Sequence, residues 1–265
     1  MNTIHERAVV SKKAILGDNN TIGPHAVIEE GVTIGSNNMI CPGAVIFKGT
    51  TMGNGNLIHA GAILGDIPQD IAFDGSETFL EIGNGNRIRE YCTIHRGTKA
   101  GTKTVIKDNT FLMGYTHVAH NCQIGTGVIT VNTVVFGGYV EVGDHAFVSA
   151  SVVVHQFCRI GKYAMVSGLS AVNMDIPPYL TGGGRPACMT NVNIVGLKRA
   201  GFSPDVRKEI KNAFKILYLE GLSRPNAIAR IEQECTSAEV KYFVDFIKNS
   251  KRGIAAGGEK EDVMM

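Results

Sequence analysis

Tryptophan is absent from the chain, and all aromatic residues together make up only 7 % of it. That leaves small and branched aliphatic side chains to fill the core, which suits a narrow interior. No run of eighteen apolar residues occurs, so no ordinary membrane-spanning helix is expected. The N-terminal MNTIHERAVV lacks the apolar stretch of a signal peptide, and a cytoplasmic location is the expectation. Neither sign of charge dominates: 26 Lys+Arg against 24 Asp+Glu gives +2, which argues against nucleic acid as a partner. The six cysteines (Cys41, Cys92, Cys122, Cys158, Cys188, Cys235) form no CxxC. Neither disulfides nor a zinc site is expected from that scatter, and buried free thiols fit it better.

Glycine, by contrast, is plentiful at 32 of 265 residues. Its placement follows a repeat. Ile4, Val10, Leu16, Ile22, Ile28, Ile34, Ile40, Ile46, Met52, Ile58 and Leu64 recur every six residues, often followed by glycine. Small residues sit two positions earlier, as at Ala8, Ala14, Ala26, Ala44 and Ala62. After a gap the pattern resumes at Ile82, Ile88 and Ile94, and it runs again from Ile106 to Val172 with only Thr130 off type. Cys92, Cys122 and Cys158 occupy the small-residue slot. A period of six matches neither a helix nor plain alternation. It predicts short strands joined by sharp corners, three to a triangular coil, stacked as a parallel β-helix.

Two stretches interrupt the coil, DIPQDIAFDGSETF at 66–79 and TKAGTKT at 98–104. Loops thrown out of an otherwise regular prism are candidates for function. The β-helix is expected over residues 1–190. Helical spacing over 205–220, Pro225, and the Thr236-x-x-Glu239 capping pattern predict a helical C-terminal domain at 191–253. The remainder, 254–265, reads as a disordered tail.

Residues eighteen apart should stack from coil to coil. His120 then lies under Gly138, and His155 on Gly137, so His117, His120, Gly137, Gly138 and His155 gather on one flank. Lone histidines of this kind are ordinarily solvated corner residues, but paired glycines beside an imidazole leave backbone N–H groups open to a ligand. Zinc is the rival reading. Trimeric hexapeptide-repeat carbonic anhydrases hold it through shared histidines, but their same-chain pair is spaced five apart rather than three, and no acidic group lies near in sequence.

The ordered set of hexapeptide coils, PQD, IREYCTIHRGT, HVAHNC, VHQFC, DIPPY and NIVGLKRAGFS closely resembles the UDP-N-acetylglucosamine O-acyltransferases of lipid A biosynthesis. The resemblance runs from about residue 4 to about 253. It implies a left-handed β-helix, a homotrimer with active sites between subunits, and no cofactor or metal. The implied reaction moves an (R)-3-hydroxyacyl group from acyl carrier protein to the glucosamine 3-OH of the UDP-sugar.

The same resemblance gives His120 as the general base and Gly138 as the backbone oxyanion donor. It makes Gln69, Asp70, His95, His117, His155 and Gln156 sugar-side or cleft residues, with Asn193 and Arg199 on the nucleotide and carrier-protein side. Gly168 would limit the depth of the acyl groove. Five positions depart from the family pattern: Asn121 replaces an Asp, Ala72 a Lys, Tyr139 a His, Val195 an acidic residue and Ala200 an Arg. These departures keep open a UDP-sugar with a 3-amine, or another nucleotide sugar. A non-catalytic β-helix scaffold would have no use for the His/Gly stack or for Asp70.

Overall fold

The computed structural model describes residues 1–258. The aliphatic residue of each hexad points inward from a strand only two to four residues long, and nearly all are buried. Parallel strands form sheets of eleven, nine and eight, one on each face of the prism. Register follows the repeat, with Ile22 opposite Ile40 and Ile40 opposite Ile58. Thr130, the off-type core residue, is fully buried, and its hydroxyl meets that of Thr116 at 2.9 Å.

The corners are held by two devices. At several of them the residue three before the aliphatic adopts a left-handed conformation, as do Asn37, Asn121 and Tyr139 near φ 61°. Asparagine tolerates this region, and the aromatic residues found there stack on the next coil. Tyr139 lies 5.1 Å from Phe157, ring centre to ring centre. At another corner, buried Asn20, Asn38, Asn56 and Asn86 form a ladder in which each Oδ1 accepts the backbone N–H of the next member. Turn backbone that the strands leave unpaired is satisfied in this way.

Both excursions leave the same edge of the prism, between the nine- and eight-stranded sheets. Strand residues bound the first loop at Asp66 and Phe79, while the second ends where the strand Lys103–Ile106 begins.

The C-terminal region contains more than the sequence pattern suggests. A hairpin of Leu180–Gly183 and Cys188–Val192 closes the eleven-stranded sheet with its one antiparallel pairing. Four helices follow: α1 (Ile194–Arg199), α2 (Pro204–Tyr218), α3 (Arg224–Glu234) and α4 (Ala238–Lys248). The cap of α4 is Ser237 rather than Thr236: its side chain accepts from the Val240 N–H, while Glu209 holds the Thr236 and Ser237 N–H groups. The start of the expected tail is ordered structure. Ile254 and Ala255 are buried, and Ile254 and Gly257 bridge to Asp175 and Met189. Residues 259–265 lie outside the described part. Of the six cysteines, which are all free, Cys92, Cys122, Cys158 and Cys235 are buried, whereas Cys41 and Cys188 are half-buried. No helix among the described residues is long and apolar enough to cross a membrane.

Candidate active site

His120 stands at the corner where both excursions emerge, with its side chain 13 % exposed. Its Nδ1 lies 3.0 Å from Asn121 Oδ1. The same oxygen accepts the Thr98 backbone N–H at 3.0 Å, which fixes the orientation of the amide. An amide oxygen can only accept, so in the neutral ring His120 carries its proton on Nδ1 and keeps the lone pair on Nε2. That lone pair faces Asp70, whose Oδ2 is 3.9 Å away. The gap is wider than a direct hydrogen bond. A substrate hydroxyl approaching Nε2 would find the carboxylate beside it.

Asp70 is positioned by its own loop and by the next one. Its Oδ1 accepts the Ala72 N–H at 2.9 Å, and its Oδ2 accepts the Thr98 hydroxyl at 2.9 Å. The Ala72 N–H first, then the Thr98 hydroxyl, hold its carboxyl below the usual range, so it stays charged. Thr98 thus joins Asp70 to Asn121, a role that no spacing in the sequence signals.

Gly138 lies over the imidazole. A Cβ at this position would fall 2.6 Å from His120 Cε1 and 2.7 Å from Nε2. Only glycine lets the ring sit there, and the backbone hydrogen bonds of the described residues leave the Gly138 N–H without an acceptor. Tyr139, next along, meets the imidazole edge to face at 5.3 Å.

His117 and His95 form a second pair on the adjoining strands, edge to face at 5.1 Å. His117 Nδ1 is 2.7 Å from the Thr93 hydroxyl. Burial pushes the His117 imidazole down to about 4, and burial lowers His95 as well, so both are neutral near pH 7. The buried His95 Nδ1 has no hydrogen-bond partner among the described residues. His155 and Gln156 are exposed two coils on from His117, and Gln69 is exposed on the first loop. Asn193 and Arg199 sit apart from this cluster, at opposite ends of α1. Asn193 caps that helix through Oδ1 to Gly196 and donates to Tyr163 O, while Arg199 is exposed. Gly168 is exposed, but a Cβ there would lie 3.3 Å from Ala150 O, a tight contact.

Among the described residues, no group of three or more His, Cys, Asp or Glu side chains could hold a metal ion. The nearest thiol in sequence, Cys122, is buried and pushed up to about 12, so it is no thiolate nucleophile at neutral pH.

Residues 175–255 match the second-domain model of the UDP-N-acetylglucosamine O-acyltransferases, and 13–48 and 103–138 match the bacterial transferase hexapeptide model. An acyl-[acyl-carrier-protein]–UDP-N-acetylglucosamine O-acyltransferase from Halorhodospira halophila is 43% identical over 193 residues, 72% of this chain and 75% of the relative. The chain belongs to the UDP-N-acetylglucosamine O-acyltransferase family. The counterpart from Burkholderia mallei is 40% identical over 197 residues, with the same coverage of both chains. Among solved structures, the Bacteroides fragilis UDP-N-acetylglucosamine acyltransferase superposes with a TM-score of 0.93 at 43% identity, covering 95% of this chain and 99% of that one. The Francisella novicida enzyme gives 0.92 at 36%, covering 99% of each chain. The fold is therefore the left-handed parallel β-helix with a helical C-terminal domain, and the chain is an acyltransferase of this family.

Proposed function

We propose that this enzyme transfers an (R)-3-hydroxyacyl group from acyl carrier protein to the 3-OH of UDP-N-acetylglucosamine, the first step of lipid A biosynthesis. The observation that carries the chemistry is the locked Nδ1–H tautomer of His120, which leaves Nε2 unprotonated beside Asp70.

Nε2 takes the proton of the 3-OH as that oxygen bonds to the thioester carbonyl carbon. Asp70 steadies the imidazolium that forms. Negative charge developing on the carbonyl oxygen is met by the Gly138 N–H. The carbon–sulfur bond then breaks, and the departing thiolate recovers the proton from the imidazolium. No acyl-enzyme is needed, so transfer is direct. His95, His117, His155, Gln156, Gln69, Asn193 and Arg199 bind or orient the donor and acceptor, and Gly168 limits the depth of the acyl groove.

The active unit is a homotrimer, and the enzyme works in the cytoplasm alongside its carrier-protein donor. The prism itself supports trimerisation. Outward residues of the nine-stranded face are largely apolar (Val9, Val27, Val45, Ile63, Val135, Val153), as are many on the eleven-stranded face (Met39, Leu57, Phe111, Ile129, Phe147, Met165), whereas the eight-stranded face turns out Thr33, Glu81, Gln123, Glu141 and Arg159.

One observation favours a second acceptor. The neutral Asn121 against Nδ1 cannot add charge to the imidazolium, and an amine needs less help from a base than a hydroxyl does. A UDP-sugar with a 3-amine is therefore the competing substrate. Mass spectrometry of products from equimolar 3-hydroxy and 3-amino UDP-sugars, with carrier-protein thioesters of graded chain length, tests both readings. Ester product in excess supports the hydroxyl substrate. Amide in excess assigns the amine, and no acyl transfer to either sugar overturns the reading.

A further inference from the structure

The first excursion has a second face. On the side away from His120 it roofs a cavity of about 540 Å³ against the earlier coils, whose lining includes Lys48, Gly49, Glu77, Thr78 and Arg96. None of the cleft residues described above lines it. Gly49 admits the loop closely: with φ 82°, a Cβ there would lie 2.7 Å from Thr78 O.

Arg96 is 6% exposed, yet its guanidinium is poorly compensated. Among the described residues, Nη1 reaches only two backbone carbonyls, Lys48 O at 3.3 Å and Gly65 O at 3.5 Å, and Nε has no partner. The Phe73 ring lies 5.9 Å from the guanidinium carbon. Thr78, 2% exposed, has a hydroxyl in the same lining with no partner among the described residues. Lys48 adds a second cation to the wall, while Lys13 is already engaged by Glu30 at 2.7 Å. Glu77 also lines the cavity, but it is exposed and forms no ion pair with Arg96, so the site does not neutralise itself. A buried cation without a counter-charge is strongly disfavoured, and an arginine fork matches the geometry of a two-oxygen anion.

We propose that this cavity binds a small oxyanion, phosphate or carboxylate, with Arg96 as its charge partner and the Thr78 hydroxyl as a further donor. The bound anion neutralises Arg96 and braces the loop whose other face carries Asp70. Its place is beneath the loop, away from the reacting atoms.

Calorimetric titration of inorganic phosphate into the full-length protein, with acetate in parallel and chloride at matched ionic strength as the reference, tests it. One saturable site per chain is expected, and whichever of phosphate or acetate binds more tightly identifies the source. Arg96→Gln should weaken that binding about tenfold or more, as loss of a charge-assisted pair implies. Absence of a saturable site in the wild type, or unchanged affinity in Arg96→Gln, overturns the proposal. Should Arg96→Gln fail to fold, the double variant Lys48→Gln/Thr78→Val carries the test, and unchanged affinity there overturns it equally. An Arg96→Gln protein that loses its assembly, alongside a wild type indifferent to both anions, would instead assign the guanidinium to a contact with a second copy.

Discussion

His120 owes its reactivity to the groups that hold its other nitrogen and cover its face. Because Gly138 lies against the ring, Gly138→Ala should displace the imidazole while leaving the inward-facing core untouched. Steady-state assays should show kcat lower by roughly a hundredfold, the scale of losing a positioned base or oxyanion donor, with thermal stability nearly unchanged. A variant with normal turnover would show that the imidazole does not need that space. His117 gives a prediction in pH. Unfolded, its imidazole titrates near 6.5; folded, burial lowers it to about 4. As pH falls through that window the unfolded chain takes up the proton first, so stability declines and the loss is complete below about 4. A shift of this size corresponds to roughly 3 kcal/mol. His117→Asn should flatten the fall in thermal midpoint between pH 7 and pH 4, and an unchanged slope would assign the acid sensitivity elsewhere.

At the scale of elements, the prism and the histidine flank were legible because a six-residue period survives two interruptions. Stacking His120 under Gly138 needed only that period, and the structure places them together. Thr98 was not legible. Its link between Asp70 and Asn121 arises from how two loops meet, which no spacing records. The hairpin at 180–192, the short α1 and the bridges of Ile254 and Gly257 escaped for a similar reason: each is set by pairing with distant chain, outside the repeat. Asn193, by contrast, has a helix cap as its visible task, so its nucleotide-side role rests on the family pattern alone. The asparagine ladder was latent in the Gly-x-Gly-Asn and Ser-Asn-Asn corners. Asn38→Ala would strand the buried Asn56 N–H, and a loss of about 1–3 kcal/mol is expected in denaturant unfolding. An effect below a few tenths would mean that water replaces the amide without cost.

For the whole molecule, the proposed trimer and the proposed chemistry can be separated. Val153, 53% exposed on the nine-stranded face, should be covered in the trimer, and Val153→Lys should reduce the mass measured by sedimentation equilibrium toward that of one chain. A trimer indifferent to that charge would move the interface to another face. His120, at the corner bordering the nine-stranded face, contributes a side chain to the cleft rather than to the core. The role of His120 is therefore decided by turnover of UDP-N-acetylglucosamine with 3-hydroxyacyl carrier protein by His120→Ala, measured on protein whose mass and circular dichroism match the wild type. A fall in kcat/KM of roughly 10² to 10⁴ is expected, the range supplied by a positioned general base. A rate within about tenfold of wild type would contradict it, because a base worth so little is not the one that activates the sugar hydroxyl.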